Sequence, residues 1–201
     1  MNVLDDIHEK HVFGRRVRVL VHHLAELIPP NASVLDVGCG DGSLAHLLLD
    51  TRPDLRIEGV DVLVRPHVAV KMTQSDGKTV PFADGAFDFA MLVDMLHHTD
   101  NQLQLLGEAR RVARQAILVK DHCRDGVLAN ATLRFMDWVG NARHGVALPY
   151  VYWPEARWHE VFRELGLREE RWIDHLALYP WPFSMAFDRK LHFIAKLVRD
   201  A

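Results

Sequence analysis

The residues with the clearest chemical potential form a glycine-rich stretch that directly follows a short apolar run. Asp36 stands within the apolar segment 33–37, and Gly38, Gly40 and Gly42 alternate with other residues just after it. Glycine permits positive φ and lets a ligand approach the backbone without a Cβ in the way. Where such a loop opens a helix, unpaired N–H groups and the positive end of the helix dipole attract an anion. The pattern therefore indicates a ligand-binding loop.

The spacing of the glycines separates the two ligand classes that use such loops, dinucleotides and S-adenosylmethionine. A dinucleotide fingerprint, G-x-G-x-x-G, that starts at Gly38 would place its third glycine at position 43. That position is Ser43, and the glycine stands at position 42 instead. A nicotinamide-dependent oxidoreductase is therefore the weakest alternative, and a tight strand-to-helix turn without a ligand is the other explanation of the loop.

The elements around the loop are predicted to alternate between strands and helices. Apolar residues at helical spacing between Leu4 and Ile28 predict an N-terminal helix that ends at Pro29. Strand–helix–strand order then predicts a parallel sheet with right-handed crossovers, hence a doubly wound α/β fold. The predicted strands are 33–37, 55–60, 68–70, 87–93, 116–120, 167–173 and 191–198, and the later helices are 43–51, 102–113, 129–141 and 154–165.

The run D-x-G-x-G-x-G from Asp36 to Gly42 resembles the glycine loop of class I S-adenosylmethionine-dependent methyltransferases. Three further segments support this resemblance: IEGVD, which ends at Asp61, the acidic loop at Asp76 before V-P-F, and P-F-x-D-G-x-F-D…L-H-H over 81–98. The similarity covers about 33–120. It implies a Rossmann-like, mostly parallel sheet of seven strands, the last one antiparallel, with an N-terminal helix and a late helical and aromatic cap.

The resemblance also implies which residues contact S-adenosyl-L-methionine. Asp61 is expected to hydrogen-bond both ribose hydroxyls, and Asp76 to accept a hydrogen bond from the adenine amino group. The segment 62–67 is too short for the helix that the family usually carries there, which predicts a more open side of the adenine. The complete set of expected cofactor contacts is Asp36, Gly38, Cys39, Gly40, Asp61, Val62, Asp76, Gly77, Leu92 and Val93.

Histidines are the candidates for a general base, which is needed where the acceptor must lose a proton. His97, His98 and His122 are expected beyond the fourth and fifth strands, and neutral imidazole suits this role near pH 7. With 13 histidines in the chain, a helix-start or loop role is the competing interpretation for each. No metal site is predicted, because adjacent histidines are expected to project apart and no C-x-x-C motif occurs.

The predicted function is methyl transfer to a small, partly apolar metabolite by in-line displacement. A cofactor-binding, methyltransferase-like protein with a regulatory role is the alternative. The segment 92–95 lacks the Asn/Asp-Pro-Pro-Tyr-type motif of many nucleobase-methylating enzymes, which argues against a nucleic-acid substrate. Aromatic residues at 150–158 and 179–183 either form the wall of an acceptor pocket or pack beneath the cap.

Length and composition set the remaining bounds. A chain of 201 residues that is 49% hydrophobic and 25% charged predicts one domain, with a helical segment 1–30, a cofactor-binding core 31–122, and a cap with closing strands 123–201. A net charge of −3 gives no general attraction to nucleic acid, and no apolar run is long enough to span a bilayer. Two cysteines fit a reducing compartment, so a cytoplasmic location is expected. The oligomeric state is not predicted.

Overall fold

The computed structural model describes residues 14–141 and 149–200. The helices are α1 (Gly14–Leu27), α2 (Ser43–Thr51), α3 (Gln102–Val112), α4 (Ala129–Asn141), α5 (Glu155–Glu164) and α6 (Ser184–Phe187). The strands are β1 (Ser33–Val37), β2 (Arg56–Asp61), β3 (Met72–Gln74), β4 (Phe87–Val93), β5 (Ala113–His122), β6 (Leu167–Ile173) and β7 (His192–Arg199). A 3-10 turn, Leu96–His98, follows β4.

The strands form one seven-stranded sheet in the order β3-β2-β1-β4-β5-β7-β6. Strands β1 to β5 pair in parallel, whereas β7 is antiparallel to both β5 and β6. The predicted Rossmann-like fold, with seven strands and the last one antiparallel, is therefore confirmed. Because β1 lies between β2 and β4, the connection from β1 to β2 and the connection from β3 to β4 run to opposite sides of β1. A crevice therefore opens at the carboxyl ends of these strands.

Apolar side chains cover both faces of the sheet. Along β1, Val34 packs on the face that α1 and α2 cover. Leu35 and Val37 pack on the opposite face, together with residues of α3 and α5. The alternation follows from the two-residue period of a strand, and burial on both faces explains why β1 and β4 are almost continuously apolar.

The third strand is the main correction to the predicted elements. Val68–Val70 is not a strand, and β3 is instead Met72–Gln74, which pairs with β2 from Gly59 to Asp61. Val70 packs on the glycine loop, since a Cβ placed on Gly42 would lie 2.9 Å from its Cγ2. The apolar triplet therefore marks a packing contact.

The other predicted bounds agree closely with the structure. Strands β1, β4 and β6 and helices α2 and α4 have the predicted limits, while β5 is longer than predicted at both ends. No helix lies between β2 and β3 in the described chain, as the short segment 62–67 predicts. The part of the predicted N-terminal helix before Gly14 lies outside the described residues.

Trp158 of α5 attaches the late part of the chain to the end of β5. Its side chain is fully buried, and its ring centroid lies 5.9 Å from that of Phe162 and 5.1 Å from that of Phe193. Its indole N–H donates a hydrogen bond of 3.0 Å to the carbonyl oxygen of His122. This indole therefore helps to fix the strand end that carries one of the candidate histidines.

Replacing this residue should destabilise the fold strongly. We expect Trp158→Ala to lower the free energy of unfolding by about 3–5 kcal/mol, because it leaves a large cavity. Trp138→Ala, at a side chain that is 57% exposed, should change it by about 0.5 kcal/mol or less. Urea unfolding followed by far-ultraviolet circular dichroism measures both, and equal losses would contradict the expectation.

Candidate functional site

The glycine loop joins β1 to α2 at the crevice. Gly38, Gly40 and Gly42 have φ angles of 77°, 59° and 75°. The N–H of Gly38 donates to the carbonyl oxygen of Val60 at 2.7 Å, which holds the loop against β2. A Cβ on Gly38 would lie 2.9 Å from the Cβ of Met95, whereas a Cβ on Gly40 would meet no atom of the described residues within 4 Å. The backbone at Gly40 therefore borders open space.

Asp61 reaches this loop from the end of β2. Its Oδ2 accepts a hydrogen bond of 2.8 Å from the N–H of Gly40, and its Oδ1 accepts one of 2.9 Å from the N–H of Leu63. Each carboxylate oxygen has a second lone pair. The side chain is thus fixed in place and still able to accept hydrogen bonds from two hydroxyl groups, as the predicted ribose contact requires.

A cleft of about 450 Å³ extends along the loop, within the usual volume range of small-molecule sites. It runs from the ends of β2 and β3, on one side of β1, to the turn after β4 on the other. Five of the predicted cofactor contacts line it, namely Gly38, Gly40, Asp61, Val62 and Gly77. The other lining residues are Val37, Val60, Leu63, Arg65, Ser75, Val80, Asp94, Met95, His98, Thr99 and Leu105.

Four other predicted contacts lie in or beside the sheet. Asp36 is 3% exposed, Leu92 is fully buried, and Val93 packs against the apolar layer under α1. The side chain of Cys39 packs over β2, with its Sγ 2.5 Å from the place that a Cβ of Gly59 would take. At the end of β4, the cleft is lined by the two residues after Val93.

Asp76 lies beside the cleft in a turn that it stabilises itself. Its Oδ1 accepts hydrogen bonds from the backbone N–H groups of Lys78 and Thr79, at 2.9 and 2.7 Å. These bonds favour the carboxylate and lower the pKa of Asp76. Its neighbours Ser75 and Gly77 line the cleft, so a contact between Asp76 and adenine stays a prediction.

The three candidate histidines come together behind the end of β4. The ring centroid of His97 lies 4.1 Å from that of His98 and 4.6 Å from that of His122. His98 lines the cleft, whereas the other two are 2% and 6% exposed. The three imidazoles thus have different surroundings, because His98 borders the cleft while His97 and His122 are buried.

His97 lies between two carboxylates. Its Nδ1 is 2.7 Å from Oδ1 of Asp121, and its Nε2 is 3.6 Å from Oδ1 of Asp137. Burial disfavours the imidazolium, but these carboxylates outweigh burial and raise the pKa of His97 to about 9. Burial and the charge of His97 lower the pKa of His98.

A second charged group surrounds Asp94, the first residue after β4. Its carboxylate accepts hydrogen bonds from Arg16 at 2.5 Å and from the Lys120 ammonium, and His122 Nε2 lies 3.5 Å away. Burial opposes ionisation of Asp94, but the two cations hold its pKa well below the usual range. Burial also lowers the pKa of Lys120, to about 8.

Several residues of this site were missed by the sequence analysis. A sequence signal does exist for Asp94, Lys120 and Asp121. These charged residues stand at the ends of two strongly apolar parallel strands, whose carboxyl ends meet at one edge of the sheet. Asp137 carries no such signal, since it comes from α4. Its Oδ2 accepts a hydrogen bond of 2.8 Å from the Tyr152 hydroxyl.

The aromatic segments divide between core and surface. Trp158 and Tyr152 are buried, whereas Trp181 and Phe183 are 79% and 52% exposed. Within the described chain, no aromatic side chain of 150–158 or 179–183 lines the cleft. Packing under the cap, one of the two predicted roles, therefore applies to Trp158 and Tyr152.

Among the helices of the described residues, none combines the length and the apolar character needed to cross a membrane.

The burial of Asp36 should make stability depend on pH. Burial, reinforced by the negative charge of Asp61, raises the pKa of Asp36 to about 7. The folded state therefore holds a proton that the unfolded state releases above about pH 4. The free energy of unfolding consequently falls by up to about 4 kcal/mol between pH 4 and 7 because of this group. Asp36→Asn should consequently gain stability relative to the natural chain as the pH rises over this range.

Urea unfolding of the ligand-free protein at pH 5, 6, 7 and 8 measures this difference. Asp100→Asn, at an exposed carboxyl group, is the control and should follow the natural chain at every pH. A difference between Asp36→Asn and the natural chain that stays constant from pH 5 to 8 would show that the buried carboxyl group does not titrate in this range.

Comparisons with known proteins agree with this fold. A family model described as a methyltransferase domain matches residues 8–170. The bifunctional methionine biosynthesis protein MetXA/MetW of Rhodopirellula baltica is 33% identical over 109 residues, which are 47% of this chain and 18% of that protein. The 2-methyl-6-phytyl-1,4-hydroquinone methyltransferase of Synechocystis is 26% identical over 147 residues, 66% of this chain and 41% of that enzyme. The chain thus spans less than half the length of these curated relatives.

Solved structures share the fold over nearly the whole chain. A SAM-dependent methyltransferase from Aquifex aeolicus superimposes with a TM-score of 0.63 at 16% identity, covering 99% of this chain and 100% of that one. The 1,6-didemethyltoxoflavin-N1-methyltransferase of Burkholderia thailandensis gives 0.65 at 18% identity, covering 98% and 85%. Since the family model spans most of the chain and the glycine loop and sheet order agree with it, this chain belongs to the class I S-adenosylmethionine-dependent methyltransferases.

Proposed function

We propose that this chain transfers the methyl group of S-adenosyl-L-methionine to a small, partly apolar acceptor by in-line displacement. The observation that carries this proposal is the open backbone at Gly40 beside the fixed carboxylate of Asp61, in a cleft of about 450 Å³. S-adenosylmethionine supplies an electrophilic methyl group on a sulfonium. The residues of the chain bind and orient the two reactants.

The cofactor fits the near side of the cleft, where β1 and β2 end. Gly38 and Gly40 present backbone without side chains, and Asp61 accepts hydrogen bonds from the ribose hydroxyls. Val62 and Leu105 offer apolar surface to an adenine ring, and Ser75 and Gly77 border the same region. In this arrangement the second carboxylate oxygen of Asp76 is the group that we assign to the adenine amino group.

The acceptor fits the far side, next to Asp94, Met95 and His98. Holding a nucleophile in line with the methyl group supplies up to roughly 7–11 kcal/mol of the barrier. If the acceptor loses a proton, His98 is the imidazole that borders the cleft, and the ring of His97 packs against it from behind. Relatives named for a phytyl hydroquinone, a rifamycin and a didemethyltoxoflavin support a small ring compound as the acceptor.

Cofactor binding should depend on Asp61 and Gly40. Asp61→Ala removes the acceptor of two ribose hydrogen bonds and should raise the dissociation constant for S-adenosylhomocysteine at least tenfold. Gly40→Ala places a methyl group in the open space of the cleft and should have a similar effect. Calorimetric titration of purified, ligand-free protein measures the affinities, with NAD as the control ligand.

The matched control is Gly126→Ala. Gly126 also has a positive φ, 100°, and a Cβ there would meet no atom within 4 Å, but it does not line the cleft. The Gly126→Ala variant should therefore lose stability through the same kind of backbone strain and keep its affinity for S-adenosylhomocysteine. Unchanged affinity in both Asp61→Ala and Gly40→Ala would overturn the proposed cofactor site.

Transfer itself is tested with S-adenosylmethionine that carries a labelled methyl group. The folded protein, incubated with hydroxylated and nitrogen-containing ring compounds or a metabolite extract, should give a labelled product that mass spectrometry detects. At S-adenosylmethionine concentrations below saturation, Asp61→Ala should give at least tenfold less labelled product, and Gly126→Ala should behave as the natural chain. Saturable binding of S-adenosylhomocysteine without labelled product would favour the regulatory alternative over an enzyme.

A further inference from the structure

Three potential metal ligands converge behind the far side of the cleft. Oδ1 of Asp137 lies 3.6 Å from Nε2 of His97 and 3.5 Å from Nε2 of His98, and ligand atoms of the three residues lie within 4.8 Å of one another. An ion held at roughly 2.0–2.2 Å by tetrahedral nitrogen and oxygen ligands separates those atoms by about 3.3–3.6 Å. The two His–Asp distances already have this value.

The groups behind these ligands have the positions that metal sites require. Oδ1 of Asp121 lies at hydrogen-bond distance, 2.7 Å, from Nδ1 of His97, and this contact directs Nε2 of the same ring towards Asp137. The Tyr152 hydroxyl donates to Oδ2 of Asp137, which leaves Oδ1 directed at the two imidazoles. A carboxylate on the remote nitrogen of a ligating histidine and a hydrogen bond to a ligating carboxylate are the usual outer partners of a bound ion.

A second combination, His97 with Asp121 and His122, also has its ligand atoms within 4.8 Å of one another. It is the weaker choice because Asp121 already lies at hydrogen-bond distance from His97. His122 also lies deeper, at 6% exposure, whereas His98 borders the cleft. The first combination therefore places an ion where a small molecule can reach it.

We infer that His97, His98 and Asp137 form a binding site for a divalent transition-metal ion at the acceptor end of the cleft. Two histidines and one carboxylate leave coordination positions open for a substrate. This departs from the predicted absence of a metal site, because the 3-10 turn Leu96–His98 brings the adjacent histidines to the same carboxylate.

The substrate class follows from this chemistry and rests on the proposed function. An acceptor hydroxyl bound to the ion would lose its proton more readily, to water in the open cleft, and His98 would then act as a ligand in place of the general base. The acceptor oxygen would form the bond to the methyl carbon as the carbon–sulfur bond breaks, and S-adenosylhomocysteine would leave with that electron pair. The site therefore favours a hydroxylated acceptor whose oxygen binds the metal, with O-methylation as the outcome.

The test measures metal binding directly, in tag-free protein that has been treated with a chelator. Titration with Co²⁺ should produce visible absorption that saturates at one ion per chain, and Zn²⁺ should remain bound at the same ratio after desalting. His98→Ala and Asp137→Asn should each weaken binding at least tenfold, and Asp121→Asn about 10–100-fold. His175→Ala, at a side chain that is 77% exposed, is the control and should bind as the natural chain does.

Two results would overturn the inference. One is the absence of saturable Co²⁺ absorption in the natural chain, which would leave His97 as an imidazolium between Asp121 and Asp137. The other is equal affinity in folded His98→Ala and in the natural chain, since this side chain reaches the cleft and its loss should not unfold the protein. Calorimetry with S-adenosylhomocysteine on the natural chain separates the two proposals, because absent metal binding with intact cofactor binding contradicts the metal site alone.

Discussion

The ion pairs of Asp94 connect the parts of the molecule that border the cleft. Arg16 comes from α1 and Lys120 from β5, yet both side chains meet the carboxylate that follows β4. The backbone of Asp94 has a positive φ of 52°, and its N–H donates to the carbonyl oxygen of Lys120 at 2.8 Å. The strained conformation is thus compensated by a hydrogen bond and by two charges. The same carboxylate therefore fixes the position of the first helix and the direction of the chain as it enters the histidine turn.

The charges behind the cleft form two groups of opposite net charge that balance each other, with neutral histidine rings beside them. Around Asp94, two cations face one carboxylate, while in the ion-free chain the imidazolium of His97 faces Asp121 and Asp137. Burial and the charge of Lys120 keep the pKa values of His122 and His192 well below the usual range, so these rings stay neutral. Each pair of like charges is thereby separated by an opposite charge. Such an arrangement requires a well-defined packing of five separate segments.

The sequence predicted what local patterns encode. The glycine loop, Asp61 and the parallel strands each leave a short signature, because a strand buried on both faces must be apolar and a close approach of the backbone requires glycine. The predicted position of β3 was wrong because this strand lies at the edge of the sheet and its residues are only partly buried. The apolar Val70 packs against the glycine loop instead. The convergence of His98 and Asp137 depends on a 3-10 turn that ends at His98 and on a helix that begins only at Ala129. No local sequence pattern records a contact between such distant segments.

The two ends of the cleft have different borders. At the near side, no helix of the described residues covers the loop after β2, and Val62, Leu63 and Val64 are exposed. At the far side, Arg16 is tied to Asp94, and Leu20 of α1 packs with Leu176 and Leu178, so α1 is held to the late part of the chain. If the cofactor binds as proposed, its adenine end therefore lies beside the exposed loop 62–64, whereas the acceptor end borders a carboxylate that an ion pair holds in place.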